Sequence, residues 1–337
     1  MIIKSFVPFL LAILFGFIFV QIFCRRNDFS GIFLKIFLGA GLGVGVTSCI
    51  YFFRLLIFKG QSGYFAIQIG LLVISFLILF LFKSNPKQQF KKSNIRIKWP
   101  EITVAAVTAI IFGYAGYILI NHSLYFPHGD HDAYMIWNLH ARFIYRGGDD
   151  WQTVFSKDID PAFAPDYPPL IPLSIAGGWN FLGQESLRVP AVIAMVFVFA
   201  TIGVLFSSMG LVRGLGQASL VSIVLFGFYQ FWSTGISQLA DVPLAYYFLS
   251  CLVLLYIYFI ERNMGLIFLA GLAAGLASWT KNEGITFYIL AFLAILITFS
   301  KSRNYKLPIY FLLGSLLPLS MLLYFKIALA PPAFLLA

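Results

Sequence analysis

The chain has 337 residues, of which 60% are hydrophobic, 18% aromatic and 11% charged, and it carries a formal net charge of +10. Soluble domains hold about half apolar residues and about a quarter charged ones, so this composition excludes an ordinary soluble domain and describes a polytopic membrane protein. In such a chain the surplus of positive charge reports loop asymmetry, not a nucleic-acid partner.

A membrane-crossing helix needs about 20 mostly apolar residues. In chain order the qualifying runs are 5–24, 31–53, 64–82, 102–121, 190–210, 217–235, 242–260, 264–280, 284–300 and 307–325. The first has no small-residue cleavage site and is followed by Arg25-Arg26, so it reads as a retained span and not a removed signal peptide. The eighth and ninth are short and separated only by Thr280-Lys281-Asn282-Glu283-Gly284. Cys24, Cys49 and Cys251 all fall within or beside apolar runs and suit small buried hydrophobes better than zinc ligands.

Ten spans alternate sides, and basic loops stay in the cytoplasm. One orientation puts Arg25, Arg26, the run KSNPKQQFKKSNIRIK (83–98), Arg213, Arg262 and KSRNYK (301–306) inside, with only Asp28, Glu101 and Glu261 as acids. The N-terminus is then outside, and residues 122–189 form one long external loop. That loop holds Asp130, Asp132, Asp149, Asp150, Asp158, Asp160, Asp166 and Glu185 against Arg142, Arg146, Lys157 and Arg188. Within it, AYMIWNLHARFIY (133–145) has helical spacing. Tyr134, Trp137, Ala141 and Ile144 or Tyr145 share a stripe, with Asn138 and Arg142 opposite. The spacing predicts an amphipathic helix on the outer membrane face with Asp132 as its N-cap. Pro169 to Leu182, interrupted by Pro172, Gly177 and Gly178, reads as a re-entrant or juxtamembrane helix.

Four stretches resemble the polytopic GT-C glycosyltransferases, the superfamily of protein O-mannosyltransferases, lipid A aminoarabinose transferases and RgtA-like bacterial proteins. HDAYMIWNLHARF (131–143) is similar to the family's Asp-containing first-loop motif, and PDYPPLIPL (165–173) to its Pro-Pro-Leu step. LADVPLAYYFL (239–249) resembles its Asp-x-Pro-Leu motif, and GLAAGLASWTKNEG (271–284) its Gly-rich helix ending in Thr-Lys-x-x-Gly. The resemblance covers about 102–325. Together with the ten apolar runs it gives the expected fold: all-α and GT-C-like, about ten transmembrane helices, with a long external loop that carries juxtamembrane helices. The expected division is 1–100, three additional helices and a basic cytoplasmic loop, and 101–337, the catalytic region. Family members continue through more helices beyond the point where this sequence ends, at Ala337, so a short or truncated form is expected.

The resemblance implies that Asp132 is a general base and Asp166 a second functional acid. Lys281, Arg142 and Arg188 are the external cations available to a polyprenyl-phosphate leaving group. Asp130, Asp241, Glu283 and His131 are expected to support them, with Asp241 either capping its helix or orienting a cation. Asp149, Asp150, Asp158 and Asp160 read as solvated turns, and His128 as a polar loop residue. The residues single out no particular cofactor and leave open a hard divalent cation, with Asp130, Asp132 and Asp166 as the residues to hold it. The expected partners are a polyprenyl-phosphate sugar, an extracytoplasmic glycan, lipid or protein acceptor, and the bilayer of a bacterial plasma membrane, with no nucleic acid. The rival readings are a transporter or flippase of lipid-linked sugars, whose charges would sit mid-membrane on broken helices, and a non-catalytic assembly protein.

Overall fold

A computed structural model describes residues 2–24, 26, 28–58, 63–81 and 99–332. Every regular element among them is helical: α1 (Ile2–Phe23), α2 (Phe29–Ile57), α3 (Tyr64–Leu81), α4 (Trp99–Tyr125), α5 (Asn138–Arg146), α6 (Leu170–Leu182), α7 (Arg188–Arg213), α8 (Leu215–Gly227), α9 (Tyr229–Ile236), α10 (Asp241–Glu261), α11 (Met264–Thr280), α12 (Glu283–Ser302) and α13 (Lys306–Tyr324). A π-helical turn, Ala133–Trp137, precedes α5, and 3-10 turns occupy Gly148–Phe155 and Pro161–Phe163. The basic run at 83–98, which decides much of the inside-outside reading, lies outside the described residues.

Helices stand at all ten expected places. Among the described residues eight helices are long and apolar enough to cross a membrane, or nine if one bent pair counts as a span. The bent pair is the expected sixth run: α8 and α9 meet at 66° across Phe228. The polar residues Gln230, Ser233 and Thr234 satisfy one another and their own backbone in α9. The Trp232 indole N–H donates to the Phe226 carbonyl at 2.6 Å, taking up an acceptor at the break. The eighth run, α11, has only 17 residues, yet all of Leu266–Thr280 except Phe268 is buried. It is a core helix, apolar on every side.

The centre of the bundle is α2, packed against α1, α6, α7, α10, α11 and α13. Small residues on two faces allow this. A Cβ on Gly39 would fall 2.5 Å from the Phe17 backbone, and one on Gly43 2.0 Å from the Ala12 carbonyl, so that face lies backbone to backbone against α1. The other face receives two tyrosines of α10: Tyr246 donates to the Leu38 carbonyl (2.7 Å) and Tyr247 to the Gly41 carbonyl (2.8 Å). The N-terminal helices therefore share one core with the later ones. Around that core, α3, α4 and α12 show mostly exposed apolar surface, as helices facing hydrocarbon do.

The two ends of the bundle differ. At one, Arg26 bonds Asp28 (2.7 Å) and Glu261 (2.8 Å), and Asn263 donates to the Phe23 carbonyl (2.7 Å), tying the α1–α2 turn to the α10–α11 turn. At the other lies the acidic loop. All three cysteines are buried and unpaired, as expected.

Candidate functional site

The segment between α4 and α7 folds on itself and onto the helix tips. Of the predicted stripe, Trp137, Ala141 and Ile144 are buried, while Tyr134 is exposed. Two corrections follow. The stripe packs on α6 and its own loop, and Asn138, expected on the polar face, is buried and donates to the His128 carbonyl (3.3 Å). Asp132 is not a side-chain N-cap: its backbone is already helical (φ −64°, ψ −28°) and its carboxylate makes no cap bond. The wider π turn changes the end geometry a capping side chain would serve. The Asp132 carboxylate remains 56% exposed, 3.5 Å from His131 Nδ1. A carboxylate that makes no cap bond and stays open to solvent is accessible to a proton donor.

This corner is pinned to the turn before α10. The Asp130 N–H donates to the Ser237 carbonyl (3.1 Å), and Gln238 donates to the Pro127 carbonyl (3.3 Å). Gly129 makes the approach feasible: its φ is +71°, and a Cβ there would fall 2.6 Å from the Ser237 oxygen. The Asp130 side chain accepts from the His131 N–H (2.8 Å). His128 is exposed.

Beside it, groups far apart in the chain converge. Lys281, at the C-terminal end of α11, lies 3.1 Å from Asp241 and 3.3 Å from Glu283, and 5.9 Å from the Tyr167 ring centre. Burial opposes its charge but the two carboxylates outweigh it, so the Lys281 pKa lies above its ordinary value. Asp241 thus orients a cation; the N-cap position belongs to Ala240. Asp166 accepts from the Asn282 side chain (2.9 Å). Lys326 bonds the Asp166 carbonyl (2.6 Å) and the Asn282 amide oxygen (2.8 Å), and stands 3.9 Å from the Asp166 carboxylate. The Tyr167 ring stacks on Trp137, centroids 5.8 Å apart, linking this cluster to the turn that bears Asp132.

Lys326, Asn282 and Tyr167 escaped the sequence reading. Lys326 carried a signal: it is a charge in an apolar run beyond Phe325, and such charges default to function. Arg142 is drawn elsewhere, 3.7 Å from Glu185, which also takes two bonds from Arg146. The Arg146 bonds hold the Glu185 carboxyl below its ordinary value. Arg188 lies apart, at the start of α7, against an apolar groove. Asp158 and Asp160 serve their own turns, bonding Ser156 and the Ala162 N–H. Among the described residues no three His, Cys, Asp or Glu side chains are arranged to hold a metal. Asp130, Asp132 and Asp166 therefore do not form the carboxylate cage a divalent cation would use, and Asp166 already has a lysine beside it.

Compared with models of protein families, with curated proteins and with solved structures, the chain matches none.

His140 locks the loop. Its Nε2–H donates to the Phe163 carbonyl (2.8 Å), while Nδ1 has no partner among the described residues. Burial pushes its pKa down to about 4, against the smaller opposing effects of that bond and Asp166. Between pH 6.5 and 4 the unfolded chain takes up a proton that the folded loop refuses. Stability is therefore full above 6.5, falls by about 3 kcal/mol on going down to 4, and then levels off. The difference in thermal midpoint between wild type and His140→Gln should shrink across that window. A difference independent of pH would show that His140 titrates normally.

Proposed function

We propose that the protein is a membrane glycosyltransferase that moves a sugar from a polyprenyl-phosphate donor to an extracytoplasmic hydroxyl or amine, with inversion. The observation that carries the reading is that an accessible carboxylate corner, pinned to the turn before α10, lies at the same end of an apolar bundle as a cation anchored on the first residue of α10. Such a place reaches both a water-borne acceptor and a phosphate held at the membrane surface by its tail.

In this reading Asp132 accepts the proton of the acceptor as the acceptor atom bonds the anomeric carbon. The bond from that carbon to the phosphate oxygen breaks, and its electron pair stays on the phosphate beside Lys281. Asp241 and Glu283 hold the ammonium in position, and burial strengthens its pull on the leaving charge. Asp166 serves as the fastener: with Asn282 and Lys326 it clamps the loop to the tips of α12 and α13. Asp130 and His131 shape the corner around Asp132. The ten helical runs, with α8–α9 as a broken crossing, would put this end outside a bacterial plasma membrane. The acidic residues lie in the loop or at helix ends and none at mid-helix, which favours transfer over transport, while the broken α8–α9 crossing is a feature that transporters share.

Glycolipid and polysaccharide profiles of cells expressing wild type or Asp132→Asn at equal levels test the assignment. The product present with wild type should be absent with the variant. Identical profiles containing the product in both would remove Asp132 as the base.

A further inference from the structure

A second feature of the same end has nothing to do with the acidic cluster. Between α1, α2, α4 and α7 runs a groove of about 550 Å³. Its walls include Phe6, Ile36, Phe37, Ile120, Val196 and Phe199, and Arg188 is the charged residue that lines it. The groove exists because α4 leans on α8 and touches α7 only sparsely. Phe6, Ile36 and Ile120 are more than a third exposed, so it opens sideways to whatever surrounds the bundle.

Three observations identify the occupant. The first is length. Along α7 the lining runs from Arg188 to Ala200, about 18 Å at the helical rise. One leaflet of hydrocarbon is about 15 Å deep, so the groove matches a single chain entering from the surface. The second is charge. Among the described residues the Arg188 guanidinium has no acidic partner, whereas Arg142 and Arg146 share Glu185. An unneutralised guanidinium at the head of an apolar slot is complementary to a phosphate carrying a hydrocarbon tail. The third is what the lining lacks. None of Asp130, Asp132, Asp166, Asp241 or Lys281 borders it, and Ser123 is its one other polar side chain. A sugar needs several convergent polar groups, so a glycosylated donor would find no recognition here.

We infer that this groove binds an anionic glycerophospholipid of the surrounding leaflet, one acyl chain along α7 and the phosphate on Arg188. The lipid fills the gap between α4 and the core and stiffens the α7 end of the external loop. The inference stands without the glycosyltransferase reading and leaves the donor phosphate to Lys281.

Native mass spectrometry of the detergent-solubilised protein tests it, with phosphatidylglycerol, phosphatidylcholine and undecaprenyl phosphate added singly and in pairs. Wild type should retain one phosphatidylglycerol about tenfold more readily than phosphatidylcholine. Arg188→Gln should erase the preference, Arg188→Lys should keep part of it, and Ser123→Trp should lower occupancy by both lipids. Circular dichroism checks that each variant remains helical. Equal retention of the two phospholipids by wild type, or an intact preference in Arg188→Gln, would overturn the site. Displacement of phosphatidylglycerol by an equal amount of undecaprenyl phosphate would give the groove to the donor and overturn the assignment to a phospholipid. None of these outcomes touches the Asp132 experiment.

Discussion

Lys281→Met should leave the protein helical and in the membrane while lowering glycan transfer by about 10²–10³-fold, the usual loss when one donor to a developing negative charge is removed. The argument rests on its surroundings. Lys281 is held by Asp241 and Glu283, its ammonium is mostly covered, and the Tyr167 ring lies nearby. A structural lysine in that setting would also matter, because its loss leaves two carboxylates facing each other. The double variant Lys281→Met with Asp241→Asn separates the roles. It relieves that repulsion, so a structural role predicts recovery of transfer, while a leaving-group role predicts none. Lys281→Arg should restore part of the rate, since the charge survives and the geometry changes. The measurement is initial rate at matched membrane expression.

Gly271→Leu should prevent accumulation of folded protein, whereas Gly113→Leu should be neutral. A Cβ on Gly271 would lie 2.0 Å from the Phe311 carbonyl oxygen, and one on Gly314, across the same interface, 1.9 Å from that of Phe268. In this pair α11 and α13 touch backbone to backbone, as small residues permit between membrane helices. Ordinary overpacking costs about 1–3 kcal/mol because side chains yield. Here the obstacle is main chain, so the helices must separate. Separation would also part Asn282 from Lys326, which stand just beyond these two helices and hold Asp166. Gly113, in the outer helix α4, has nothing within 4 Å of a built Cβ. Thermal midpoints in detergent, or yields where the variant does not fold, distinguish the two positions.

The contrast between these glycines shows what the sequence could carry. Apolar run length placed helices at all ten expected positions, because a bilayer demands length and little else. It could not tell α2 and α11, most of whose residues are buried, from α4 and α12, whose surface is mostly exposed. Leu and Phe suit lipid and protein core equally, so the polar-apolar contrast that marks faces in water is missing. The stripe of Trp137, Ala141 and Ile144 was legible because the loop is rich enough in polar residues to have two faces. The Asp132 cap was misread because a π turn leaves no trace in spacing. The break at Phe228 was missed because Tyr229–Ile236 is apolar enough to pass as span. In the candidate site, Lys281 between Asp241 and Glu283 could be anticipated from charges at helix tips. The contact of Lys326 with Asp166 and Asn282 could not, since it joins residues 160 and 44 positions apart.

The proposed glycosyl transfer needs the acidic end of the bundle to face away from the cytoplasm, where lipid-linked sugars and not nucleotide sugars are the donors. Single cysteines at Asp132 and at Arg303, introduced with Cys24, Cys49 and Cys251 replaced by Ala, report this directly when intact cells meet a membrane-impermeant maleimide. Position 132 should label from outside, and position 303 only after the cells are opened. Labelling of 303 but not 132 in intact cells would turn the molecule over and contradict the proposed chemistry.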